Sequence, residues 1–93
     1  MSDKLLRLYV VGNTPSACHA IKAIQQLLNE QLAGSWHLEV LDVTEAANQV
    51  EADRIMAVPA LMRVSPLPKK RVVGDFSDPQ QVLLGLEIDP DGD

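Results

Sequence analysis

Cysteine, aromatic rings and positive charge are all scarce in this chain of 93 residues. A single cysteine, Cys18, excludes an intramolecular disulfide, and with it the usual sequence sign of an oxidising compartment. A cytoplasmic location is the expectation. Tyr9, Trp36 and Phe76 are the whole aromatic set, too few for the ring platforms that hold single-stranded nucleic acid. Thirteen acids against eight bases leave a net charge of −5, which opposes adhesion to phosphate backbones and anionic lipid. Neither nucleic acid nor a membrane is therefore an expected partner. The N-terminal apolar run from Leu5 to Val11 is broken by Arg7 and too short to cross a bilayer, and no small-residue cleavage site follows it. A glycine-rich phosphate loop with its lysine is also missing, since Gly12-Asn13-Thr14 is only a short turn. Two isolated histidines, His19 and His37, make no zinc site without further cysteines or clustered carboxylates.

What is present is a globular composition, 46% apolar and 23% charged, enough for one domain over residues 1–93 and no more. Leu5 to Val11 reads as a strand covered on both faces. Thr14 then offers an N-cap hydroxyl and Pro15 occupies the first helical position, where a missing N–H costs nothing. Ala17, Cys18, Ala20, Ile21, Ile24, Leu27, Leu28 and Leu32 recur at helical spacing until Gly34. His37 to Val43 forms a second strand, and the long crossover makes it parallel to the first. Thr44 starts a short helix to about Arg54, on Ala46, Ala47 and Val50. Pro59 opens a third strand, Ala60 to Val64, a place where a strand tolerates proline. After Ser65-Pro66-Leu67-Pro68, Lys69 to Gly74 makes a fourth strand antiparallel to the third. Asp78 with Gln81 resembles a capping box for a last helix to about Glu87. Val82 to Ile88 is apolar at both helical and strand spacing, so periodicity leaves its state open. Residues 89–93 read as an acidic, frayed tail.

The order β-α-β-α-β-β-α, with a proline opening the third strand, is that of an α/β thioredoxin-like domain. Such domains perform thiol chemistry at the start of their first helix, where the positive helix end favours thiolate. A Cys-x-x-Cys pair would fall near Thr14 and Ala17, and neither is cysteine. Cys18 lies one residue further, with Ile21, and reads as a small buried hydrophobe; the alternative is a reactive monothiol serving an oxidoreductase or glutathione-binding protein. Asp42, Glu45, Asp53 and Asp75 read as solubilising surface acids. Lys69-Lys70-Arg71, with Arg63 and Arg54, is a basic group in an acidic chain. It reads either as a charged edge strand that resists edge pairing or as a footprint for an acidic protein partner. No catalytic constellation, cofactor site or metal site is found.

Leu8 to Ser16, Leu41-Asp42-Val43, Ala52 to Leu61, Pro66-Leu67-Pro68 and Arg71 to Asp75 together resemble the KaiB family of small clock proteins. The likeness runs from about Leu5 to Ile88. It implies a non-enzymatic regulatory adaptor that binds a KaiC-type ATPase ring, modulates its phosphorylation or signalling output, displaces a KaiB-like sensor kinase domain and captures KaiA. It also implies a homo-oligomeric, dimeric or tetrameric ground state whose C-terminal half switches fold into the thioredoxin-like state. Carried over by position, Arg54, Lys70 and Arg71 face the partner, while Tyr9, Gly12, Asn13, Thr14, Pro15 and Pro59 define the fold, with Val58-Pro59 cis. Cys18-His19 stands where relatives carry more polar residues. Relatives also act as stress-response adaptors with a partner other than KaiC.

Overall fold

The computed structural model describes residues 4–32, 35–74 and 76–89. Its elements follow the expected order: β1 Leu5–Val10, α1 Pro15–Gln31, β2 His37–Asp42, α2 Ala47–Ala52, β3 Ala60–Ser65, β4 Lys70–Val73 and α3 Pro79–Leu86. They build one sheet with strand order β2-β1-β3-β4. β1 runs parallel to β2 and antiparallel to β3, and β3 is antiparallel to β4. The Val58–Pro59 bond ahead of β3 is cis.

Side-chain alternation sorts each strand between two unequal faces. Leu6, Leu8 and Val10 of β1 and Leu61 of β3 join Ala17, Ala20, Ile24 and Leu27 of α1 and Val82, Leu83 and Leu86 of α3 in one buried cluster. That face is dry and aliphatic. Arg7, Tyr9 and Met62 point the other way, where only the short α2 covers them. No residue of α2 itself is buried, so most hydrophobic stabilisation comes from the α1/α3 side.

Local chemistry sets the helix ends. The Thr14 hydroxyl accepts a hydrogen bond from the Ala17 amide at 3.1 Å, with Pro15 opening the helix. Asp78 Oδ1 accepts from the amides of Gln80 and Gln81. At the far end of α3, Glu87 turns left-handed with φ +56°. The Ile88 amide then reaches back to the Leu83 carbonyl and the Glu87 amide to that of Leu84, a closed C-terminal motif that buries the following apolar residue. Ile88 is buried in the core while Leu84 is 72% exposed. Helical spacing thus wins over strand spacing in Val82 to Ile88.

Several expectations are corrected. α2 begins at Ala47 without a side-chain cap, because the Thr44 amide and hydroxyl are both turned back onto Asp42 Oδ1, at 2.9 and 2.7 Å. β2 ends at Asp42 and β4 covers only Lys70–Val73. α1 ends at Gln31, short of Gly34, which lies outside the described residues, as do Asp75 and residues 90–93 of the tail.

Candidate functional site

Under α2 lies a charged knot that the sequence pattern does not announce. Asp53, expected at the surface, is only 4% exposed. Its Oδ2 accepts hydrogen bonds from the Tyr9 hydroxyl, from Arg7 Nη1 at 2.9 Å and from Gln49 Nε2 at 3.2 Å. Lys69 Nζ lies 3.4 Å from Oδ1, and Arg7 Nε bonds Glu39 Oε1 at 2.6 Å. β1, α2 and the approach to β4 are thereby tied through one carboxylate, and Arg7 carries the link on to β2. Burial pushes the Asp53 carboxyl upward, but hydrogen bonds from Tyr9, Arg7 and Gln49 and the charge of Lys69 outweigh it and hold it below the ordinary carboxylate range. Burial, followed by the bond to and charge of Asp53, raises the Tyr9 phenol to about 12 against the opposing Arg7.

Directly above this knot the chain presents positive charge. Asp53, Arg54, Met62, Lys69, Lys70 and Arg71 line a shallow cleft of about 140 Å³ between the end of α2 and β3–β4. Arg54 turns left-handed with φ +56°, which places its carbonyl 2.6 Å from Arg71 Nη1. The Arg54 side chain makes no hydrogen bond or ion pair among the described residues. Strand alternation puts the Lys70 side chain on the opposite, α3 face with Arg63 and Val72, where it pairs with Glu87 at 3.0 Å. Beside the cleft, the α2–β3 loop exposes Met56 (95%) and Val58 (39%), and β4 exposes Val73 (58%). Arg63 does not belong to this surface. It is 8% exposed, and its guanidinium caps the Glu87 carbonyl at 3.1 Å and the Pro68 carbonyl at 2.9 Å.

The KaiB domain family matches residues 7–88 of this sequence. The chain belongs to the KaiB family. It is 42% identical over 84 residues to the circadian clock oscillator protein KaiB of Synechococcus elongatus, covering 90% of this chain and 82% of the relative. Against the clock oscillator protein KaiB of Prochlorococcus marinus it is 40% identical, over 90% of this chain and 71% of the relative. Among solved structures, the N-terminal domain of Synechococcus elongatus SasA superposes with a TM-score of 0.73 at 24% identity, over 88% of this chain and 78% of that one. Oxidised thioredoxin O2 of Arabidopsis thaliana superposes with a TM-score of 0.69 at 18% identity, over 90% and 72%. The fold of this KaiB-family chain is thus thioredoxin-like.

The site that carries thiol chemistry in thioredoxin-like domains is different here. Cys18 is exposed, not buried as its neighbours in sequence imply. The buried stripe of α1 is Ala17, Ala20, Ile24 and Leu27, and Cys18 sits about 100° around the helix from Ala17. Its amide is already bonded to the Thr14 carbonyl at 3.0 Å, so it lies beyond the open amides of the first turn. Among the described residues, no group of three histidine, cysteine or acidic side chains could hold a metal, and no helix is long and apolar enough to cross a membrane.

The remaining named positions lie in β1, in the turn and first residue of α1, and just ahead of β3. Tyr9 is fully buried, its hydroxyl on Asp53. Gly12 has φ +48°, a backbone shape that favours glycine. Asn13 is an exposed turn residue, and Thr14 and Pro15 start α1. The Pro59 carbonyl accepts from the Gly74 amide, extending the β3–β4 pairing. The Asp53 knot was missed because an acid between a short helix and a loop carries no mark of burial. The signal lay elsewhere, in an arginine and a tyrosine on one face of an otherwise apolar strand.

Proposed function

We propose that this chain is a non-enzymatic regulatory adaptor of the cytoplasm that binds a KaiC-type ATPase ring and modulates its phosphorylation or signalling output. The observation that carries it is the meeting of Arg54, Lys70 and Arg71 around one cleft, beside exposed Met56, Val58 and Val73, in a chain of net charge −5. An apolar centre with a charged rim is the anatomy of a protein interface, and the basic rim steers an acidic partner. Family membership supports a ring ATPase as that partner. The likeness in fold to the SasA domain supports a further element, in which a KaiB-like sensor kinase domain competes for the same ring and KaiA is captured afterwards. A homo-oligomeric ground state with a repacked C-terminal half completes the proposal. Its support is the double apolar period of Val82 to Ile88, since two packings within a few kcal/mol suffice for a switch.

Titrating labelled protein against a KaiC-type ring tests the surface. Reversing Arg54 and Arg71 to glutamate weakens binding about tenfold or more, chiefly through a slower on-rate, and the difference shrinks as salt rises. Equal affinities of both proteins at low salt rule this surface out. Exposure of Cys18 makes a second assay informative: insulin reduction that disappears in Cys18→Ser would replace the adaptor with an oxidoreductase.

A further inference from the structure

β4 ends the sheet, and nothing among the described residues pairs with its outer side. The Gly74 amide donates to the Pro59 carbonyl at 3.4 Å, one step beyond the Ala60–Val73 pair. Antiparallel ladders alternate between bonded and non-bonded pairs. Leu61–Val72 and Arg63–Lys70 are therefore the bonded pairs, and Arg71 and Val73 turn their N–H and C=O groups outward. Their side chains lie on the α2 face, opposite Met62 and Ala60. Val72 lies on the other face, beside a groove of about 410 Å³ along β4 and α3 that Val72, Val73, Phe76, Leu84 and Gly85 help to line. Gly85 lets α3 pack directly against β4, for a Cβ there would lie 2.2 Å from Val72 Cγ1.

We propose that this open edge takes up an extended acidic segment of a partner protein as a fifth strand. Acids on one face of the segment meet Arg71 and Arg54, and the alternate apolar residues lie along Val72, Leu84 and Gly85. Main-chain bonds give such a strand its affinity, and the alternating side chains give specificity. Charge selects the occupant. Arg54 and Arg71 stand at this edge with no carboxylate partner among the described residues, whereas two β4 edges from two copies would set Lys70-Arg71 against itself, which is repulsive. The other edge, β2, has no acid to spare for β4 of a second copy. Glu39 is taken by Arg7 at 2.6 Å, and Asp42 by the Thr44 amide and hydroxyl. The inference goes beyond the adaptor reading and does not need a ring, so failure of ring binding leaves it standing.

A ten-residue peptide of alternating glutamate and valine is the probe, with a lysine–valine peptide and a glutamate–valine peptide N-methylated at every residue as controls. On adding the probe to isotope-labelled protein, the amides of Arg71 and Val73 become protected from hydrogen exchange, and neither control binds within tenfold of it. Val73→Pro removes an outward donor and no ladder bond, a position proline tolerates at an edge. Its affinity for the probe falls about tenfold, the worth of one or two main-chain hydrogen bonds. The N-methylated peptide asks the same question of the unaltered protein, so the test does not depend on how the proline variant folds. Equal binding of the N-methylated peptide, unchanged exchange at Arg71 and Val73, or equal binding of the lysine–valine peptide each overturns the proposal. Dimerisation of the protein with no protection by the probe overturns it in favour of a second copy.

Discussion

Replacing Asp53 by asparagine keeps the side chain's size and removes its charge. Four donors converge on the carboxylate: the Tyr9 hydroxyl, Arg7 at 2.9 Å, Gln49 at 3.2 Å and Lys69 at 3.4 Å. A carboxamide offers one oxygen and an NH₂ group, so at least one donor would face another donor. Breaking a buried ion pair by removing one partner costs about 3–5 kcal/mol. Arg7 keeps Glu39, which places Asp53→Asn at the lower end, at about 3 kcal/mol. For a domain of this length that lowers Tm by roughly 12–24 °C, readable by calorimetry or circular dichroism at pH 7. The pH dependence carries the same signature. The folded carboxyl is held below its ordinary value, so the unfolded chain takes up a proton first as pH falls. The stabilisation is complete above the ordinary aspartate value of about 3.9 and is lost below it, toward the lower folded value. The gap in Tm between the two proteins therefore narrows below about pH 4. A drop of less than roughly 3 °C at pH 7, or a gap that stays constant to pH 2, refutes the knot as the fastening of α2.

Three further outcomes follow from the same contacts. Thr14→Ala removes the acceptor at the start of α1 and costs about 1 kcal/mol by urea denaturation, whereas Thr14→Ser is near neutral. Arg63→Ala leaves the carbonyls of Glu87 and Pro68 without their donors and costs about 2–3 kcal/mol. Both variants remove a buried Nε that has no partner among the described residues, but Arg63→Met keeps the space filled, so its loss in the same titration is smaller by about 1 kcal/mol. Cys18→Ser changes stability by less than about 0.5 kcal/mol, and a thiol reagent modifies the native protein as fast as the urea-unfolded chain, because Cys18 is exposed.

The elements were legible where a few adjacent residues decide them. The Gly-Asn-Thr-Pro turn fixes where α1 starts, and Asp78-Pro79 does the same for α3, because caps satisfy amides within three residues. The apolar stripe from Ala17 to Leu27 and the run from Leu5 to Val11 follow the two backbone periods. Thr44 failed as a cap because Asp42, two residues earlier, competed for its hydroxyl and amide. Of the three basic residues expected to meet a partner, all line one cleft, but the Lys70 side chain is turned to the α3 face and pairs with Glu87, 17 residues away. The basic run could be seen in the sequence; the buried carboxylate beneath it could not.

The residue order by itself determined the succession of strands and helices, their caps, and the absence of a cysteine pair at the head of α1. Tertiary packing alone decided which face of the sheet α2 would cover, and so buried Asp53 while leaving Cys18 in solvent. It also placed β4 at an edge and drew Arg63 inward to close α3. The physical reason is reach. Periodicity and capping act across one or two turns, whereas a charge is buried or exposed according to strands brought beside it from 16 to 46 residues away.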